Sequence, residues 1–292
     1  MPMIRERRLE LGGFRTRALE LATDSDPHAD SLLLLHGWSD SADTWRPLLA
    51  RLAARSRRAL ALDMPGFGQA DRMDRDEAVL PQLDRFLAAA VEHASEQGAG
   101  APVVVAGNSL GGLAAMRAAE NDEPAIAGIV PIAPAGLEMA RWFPIVESAP
   151  LVRMILRAPV PLPEAVVRES VGRVYRALAF ARPSEVDPAV IRSFTRHVRS
   201  RRDVIRVLAT GRRLLGEIRD PFQLARIRCP VLLVWGAEDR MVFSSGAERV
   251  LREIPGARLE LIENCGHCPQ IEAADRLAEL LDGFPGVLAS AA

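Results

Sequence analysis

Apolar residues in this chain follow two rhythms. Short, nearly unbroken runs (SLLLL within 31–38, the head of RALALDMPGFG at 58–68, PVVVA at 102–106, CPVLLVW from 229) alternate with stretches whose apolar positions recur every three or four residues. The runs read as strands covered on both faces, the recurrences as amphipathic helices. Helices are predicted over Leu48–Ala54, Val79–His93, the segment following GNSLGG through Glu120, and Pro269–Leu281. Further strands are predicted within 127–136 and 257–262, and residues 3–22 read as a hairpin turning at Gly12-Gly13. Strand alternating with helix predicts an α/β fold, a mostly parallel sheet flanked by helices on both faces.

Between 137 and 221 the alternation stops. That stretch has many prolines, no convincing strand, and helical runs at Pro163–Phe180 and Asp187–Leu215. It reads as a helical insertion over the strand ends, with 1–136 and 222–292 forming the core domain. Residues 141–219 hold 16 Arg against 7 Asp and Glu, a local charge of +9. The run RHVRSRRDVIR at 196–206 reads as a solvated helix face, with attraction of an acidic substrate or partner as the sharper alternative.

Composition narrows the chemistry. All 37 basic residues are arginine, which excludes lysine Schiff bases, pyridoxal aldimines and the phosphate lysine of nucleotide-binding loops. A formal net charge of −1 predicts no bulk attraction to nucleic acid or anionic membrane. Three cysteines, an odd number, argue against a disulfide framework, and the charged start MPMIRERRLELGG lacks a signal-peptide core. Together with the lack of an apolar stretch of spanning length, these features predict a cytoplasmic protein.

The candidate chemistry gathers where strands end, which is where such sheets place their sites. GNSLGG at 107–112 sets Ser109 between glycines at a strand–turn–helix junction, the setting of a nucleophile elbow. A serine needs a base. His28, His93 and His197 read as surface residues and His36 as a loop-shaping one, which leaves His267, after strand 257–262. The base needs a carboxylate to orient it, and Asp239, in the WGAED loop, is the candidate, with Glu238 pointing elsewhere. Backbone N–H groups of Leu110 and Trp38 are the expected oxyanion donors, Ser39 being the alternative to Trp38. Cys265 and Cys268 flank His267, but with Cys229 on a separate strand no metal site is expected; nor is any cofactor.

These motifs (His36-Gly37-Trp38, Asp63–Gly68, Gly107–Gly112, Trp235–Asp239 and Cys265-Gly-His267) together resemble the α/β-hydrolase superfamily across nearly the whole chain outside 137–221. The resemblance implies an eight-stranded sheet, a Ser-His-Asp triad, a cap between the sixth and seventh strands, and a loop-shaping role for Asp63. It implies a hydrolase of a small carboxylic ester or related acyl compound. GNSLGG beside CGH, Gln270 and Glu272 is also similar to meta-cleavage-product hydrolases, which break carbon–carbon bonds and carry an aromatic residue where Cys268 stands. A weakly catalytic ligand-binding receptor on the same fold is the remaining alternative. Asn108, Trp142 and Phe143 are the substrate-pocket candidates. Leu151, Val152, Met154, Ile155 and Leu156 are apolar insertion residues that either line a pocket or pack internally.

Overall fold

A computed structural model describes residues 4–21, 31–55, 57–121, 123–139, 146, 149–158 and 162–284. Eight strands form one sheet: β1 (Ile4–Leu11), β2 (Phe14–Leu21), β3 (Ser31–Leu35), β4 (Ala59–Leu62), β5 (Val103–Asn108), β6 (Ile126–Ile132), β7 (Leu232–Gly236) and β8 (Arg258–Ile262). Their spatial order is β1-β2-β4-β3-β5-β6-β7-β8. The β1–β2 and β2–β4 pairs are antiparallel, and every pairing from β4 to β8 is parallel. Gly12 and Gly13 both have positive φ, as a two-residue hairpin of matching twist requires, and set Leu11 opposite Phe14.

The apolar runs are buried on both faces because the period of two sends alternate side chains to opposite layers. Leu33, Leu35, Val103 and Val105 pack toward α2 (Val79–Gln97) and α3 (Leu110–Glu120). Leu32, Leu34, Val104 and Ala106 pack toward α1 (Arg46–Ala54) and the C-terminal helices.

Between β6 and β7 the described residues form α4 (Pro150–Arg157), α5 (Glu164–Ala179), α6 (Pro188–Thr195) and α7 (Arg201–Glu217). The helical run expected over Asp187–Leu215 is broken at Arg196–Ser200. Ser200 restarts the chain as an N-cap, its side chain accepting from Asp203 N while Asp203 reaches back, a reciprocal capping box. α2 has no side-chain cap of its own. Instead Glu217, at the end of α7, accepts from Val79 N and Leu80 N, both at 2.8 Å. The chain then forms α8 (Ala247–Glu253), α9 (Pro269–Glu272) and α10 (Ala274–Asp282). The single helix expected over Pro269–Leu281 is thus two, interrupted at Ala273 (φ −138, ψ 42).

Candidate active site

Ser109 sits between β5 and α3 with φ 54 and ψ −109, a conformation that side-chain-bearing residues rarely adopt. Its backbone is pinned in place. Ser109 N donates to Ile132 O (2.8 Å), and Ser109 O accepts from Leu113 N (2.9 Å) and Ala135 N (3.0 Å). The flanking glycines are required by space. A Cβ on Gly107 would lie 2.3 Å from Gly111 C, and one on Gly111 would lie 2.2 Å from Leu35 O. A bulkier residue at either position would push α3 off the sheet.

Three loops meet around this turn. The β3 loop passes so close that a Cβ on Gly37 would sit 3.4 Å from Ser109 Cβ, which brings Trp38 beside the serine. Leu110 is the first residue of α3, so its N–H has no acceptor within the helix. From the β7 loop comes Asp239, whose Oδ1 accepts from Met241 N (2.8 Å) and Val242 N (3.1 Å). Its Oδ2 lies 2.7 Å from Nδ1 of His267, which arrives from the β8 loop, and both side chains are buried. With the carboxylate accepting, the Nδ1 proton faces Asp239 and Nε2 carries the lone pair that can accept a proton. Glu238 is exposed and its backbone is tied to Cys265 O. Among the described residues the Ser109 hydroxyl has no hydrogen-bond partner.

Asn108, expected in the substrate pocket, instead ties the Ser109 turn to the His267 loop. Its Nδ2 donates to His267 O at 2.9 Å, and its Oδ1 accepts from Gln270 Nε2 at 3.3 Å. Gln270 also donates to Thr44 Oγ1 at 3.1 Å, which extends the network under the β3 loop. Glu272 joins that histidine loop to α5. One carboxylate accepts from Gly266 N (3.0 Å) and Ala181 N (2.8 Å), while His267 N donates to Ala179 O (2.8 Å).

His36 and Asp63 shape loops, as the sequence suggests. His36 Nε2 accepts from Met64 N, and Asp63 accepts from Ala42 N, Gln69 N and the buried Arg17 guanidinium. Burial pushes the Cys268 and Cys265 thiols well up and raises Cys229 to about 11, so none is a ready thiolate. Among the described residues no group of three or more His, Cys, Asp or Glu is placed to hold a metal ion. His197 departs from its expected surface placement: both ring nitrogens are buried.

An apolar pocket opens beside this constellation, with about 620 Å³ of space, part of it open to solvent. Trp38 and Ser39 of the β3 loop and Met241 of the Asp239 loop form one wall; Tyr175, Leu178, Val204 and Leu208 from the helices between β6 and β7 also line the pocket. Trp142 and Phe143 lie outside the described residues. Of the apolar candidates on α4, Val152 lines the pocket, Ile155 is buried and Met154 is largely exposed. The sequence carries a signal for the missed wall. Val171, Val174, Tyr175 and Leu178 recur at helical spacing, as do Val204, Val207 and Leu208.

A family model described as the alpha/beta hydrolase family matches residues 32–280. The chain belongs to that family. This α/β hydrolase is 29% identical over 268 residues to a pimeloyl-[acyl-carrier protein] methyl ester esterase of Xanthomonas campestris pv. campestris, covering 89% of this chain and 97% of the relative. It is 27% identical over 274 residues to a monoacylglycerol lipase of Xenopus laevis, covering 89% and 76%. Among solved structures it resembles 2-hydroxy-6-oxo-6-phenylhexa-2,4-dienoate hydrolase of Rhodococcus sp. strain RHA1, with a TM-score of 0.73 and 20% identity over 96% of this chain and 98% of that one. That last likeness is one of fold. The protein is an α/β-hydrolase enzyme. Among the described residues no helix is long and apolar enough to cross a membrane.

Proposed function

We propose that this enzyme cleaves carboxylic esters of small to medium acyl chains, with Ser109 as nucleophile, His267 as general base and Asp239 orienting it. The observation that carries the reading is the buried 2.7 Å His267–Asp239 contact beside a serine held at positive φ. In this mechanism His267 Nε2 takes the hydroxyl proton as Ser109 Oγ attacks the ester carbonyl; the tetrahedral oxyanion is held by the N–H groups of Leu110 and Trp38. The protonated imidazole, stabilised by Asp239, then gives that proton to the departing alcohol. Water, deprotonated by the same base, releases the acid from the acyl-enzyme. In this reading the Ser109–His267 hydrogen bond forms as substrate enters, since catalytic contacts that are loose in the apo state commonly close in the complex.

The helices between β6 and β7, within 137–221, serve in this reading as a cap whose apolar face receives the acyl chain. Three cysteines free of disulfides fit a reducing, cytoplasmic setting. The test is a fluorophosphonate probe together with p-nitrophenyl esters of increasing chain length. Labelling should be abolished in Ser109→Ala and slowed in His267→Ala. Each added methylene should raise kcat/KM about fourfold while the pocket fills, from roughly 0.8 kcal/mol per buried CH₂. A folded protein that takes no label would be a receptor instead. Faster turnover of a ring-cleavage dienone than of every ester would make it a carbon–carbon hydrolase.

A further inference from the structure

A second crevice lies on the other side of the segment that walls the apolar pocket. Val198, Val204 and Val207 face the pocket, while His197, Arg199, Asp203 and Arg206, interleaved with them, line the crevice. Ser41, the Gly66–Ala70 loop and Arg72 supply its other wall. The two spaces share no lining residue, so a site in the crevice is independent of the esterase reading.

The crevice is rich in donors and short of acceptors. Five arginines line it against two aspartates, Asp43 and Asp203. Arg17 is already held by Asp63 and Asp43, at 2.9 Å each. Asp43 also serves Arg46 at 2.7 Å and Arg196 at 3.5 Å, so one carboxylate is divided among three guanidiniums. Asp203 takes Arg206 at 3.1 Å, leaving the buried Arg206 Nε without a partner. Arg72 and Arg199 have no ion pair among the described residues. Both ring nitrogens of His197 are buried and unpartnered, so its N–H is one more uncommitted donor. Gathering like charges around a concave space is unfavourable unless an anion enters it.

We propose that this crevice binds the phosphate group of a phosphorylated ligand. A lone carboxylate is satisfied by one guanidinium fork, whereas a phosphate offers oxygens in several directions to separate forks. Arg72 from one wall and Arg196, Arg199 and Arg206 from the other line the crevice, and Ser41 is also part of its lining. Arginine suits this task better than lysine would, because its donors are planar and pre-arranged.

The experiment is a calorimetric titration of the full chain with inorganic phosphate and pyrophosphate, at an ionic strength of about 0.15 M, where loose surface attraction is screened. Nuclear magnetic resonance of the ¹⁵N-labelled His197 ring runs in parallel. Saturable pyrophosphate binding is expected, with a shift of the His197 ring signals. Affinity should fall at least about tenfold in the Arg72→Gln/Arg199→Gln double variant, which removes two exposed side chains, about 1.4 kcal/mol of binding. Arg173→Gln, on α5 and paired with Glu169, should bind like wild type. Absence of saturable binding, equal affinity in the double variant, or an unmoved His197 ring would each overturn the proposal. A third arm uses vesicles with and without phosphatidic acid to identify the source. Retention on phosphatidic acid alongside pyrophosphate binding points to a lipid headgroup, and pyrophosphate binding without retention points to a soluble ligand. Retention without pyrophosphate binding would replace the crevice with a membrane-facing surface.

Discussion

Replacing Ser109 by glycine should stabilise the fold while ending catalysis, and comparison with alanine isolates the cause. At φ 54 and ψ −109 the serine Cβ is strained, and strain of this kind costs on the order of 1–3 kcal/mol. The turn cannot relax it away, since backbone bonds to Ile132, Leu113 and Ala135 fix the peptide on both sides. Ser109→Ala keeps the Cβ and so keeps the strain. It loses only a hydroxyl with no hydrogen-bond partner among the described residues, and should stay within about 0.5 kcal/mol of wild type. Ser109→Gly removes the strain but adds roughly 0.4–1 kcal/mol of unfolded-state entropy. The net expectation is that glycine exceeds alanine by about 0.5–2 kcal/mol, each kcal/mol raising Tm by roughly 2–4 °C in a chain of this size. Urea unfolding followed by circular dichroism, with calorimetric melting as a second readout, measures the difference. A glycine variant equal to or less stable than the alanine variant would refute the strain argument, whatever the fate of activity.

Three further outcomes follow from the same geometry. Glu272→Gln replaces one of two accepting oxygens with a donor facing Gly266 N or Ala181 N, and so loosens the joint between α5 and the histidine loop. It should lower kcat roughly tenfold or more with little change in KM for short esters, since a small displacement of the base is costly; a KM effect alone would contradict this. Leu208→Trp fills the apolar pocket and should shift ester preference toward shorter chains without loss of turnover on acetate, which a chain-length series would reveal. His197 is held down to about 4 from 6.5, first by burial, then by the nearby His36, with Arg206 lowering it further and Asp63 and Asp203 opposing. Its folded pKa lies below the unfolded one, so the unfolded chain gains protons first. Stability should be full above about pH 7 and decline as pH falls toward 4, by on the order of 3 kcal/mol. Urea midpoints in phosphate-free buffer that fall equally with pH in His197→Leu and wild type would assign the decline elsewhere.

How much was legible in the sequence varied with the range of the interaction. The parallel strands were readable because short apolar runs such as Leu32–Leu35 or Val103–Val105, closed by glycine turns, suit a strand covered on both faces. The Gly12-Gly13 hairpin and the junction at Ser109 were readable because backbone conformation there is dictated by neighbours in the chain. Less legible were the breaks at Arg196–Ser200 and Ala273. Helical spacing of apolar residues continues across both and masks the breaks, even though the Ser200–Asp203 capping box at the first is itself a local feature. The burial of the His197 ring nitrogens is hidden in the sequence for a related reason. Charged neighbours in RHVRSRR suggest solvent, but the end of α6 brings this ring against the β3 and β4 loops.

Taken alone, the sequence determined the fold class and put Ser109, Asp239 and His267 each just beyond the end of a strand, because period and turn chemistry are local properties. Tertiary structure decided what those ends meet. The 2.7 Å approach of Asp239 to His267, the tie from Asn108 to the His267 carbonyl and the clamp of Glu272 on Ala181 join residues 28, 159 and 91 positions apart. The division of the arginine-rich segment into an apolar wall and a donor-lined crevice likewise exists only once α7 lies against the core. Such contacts depend on how whole elements pack, and no local pattern encodes that packing.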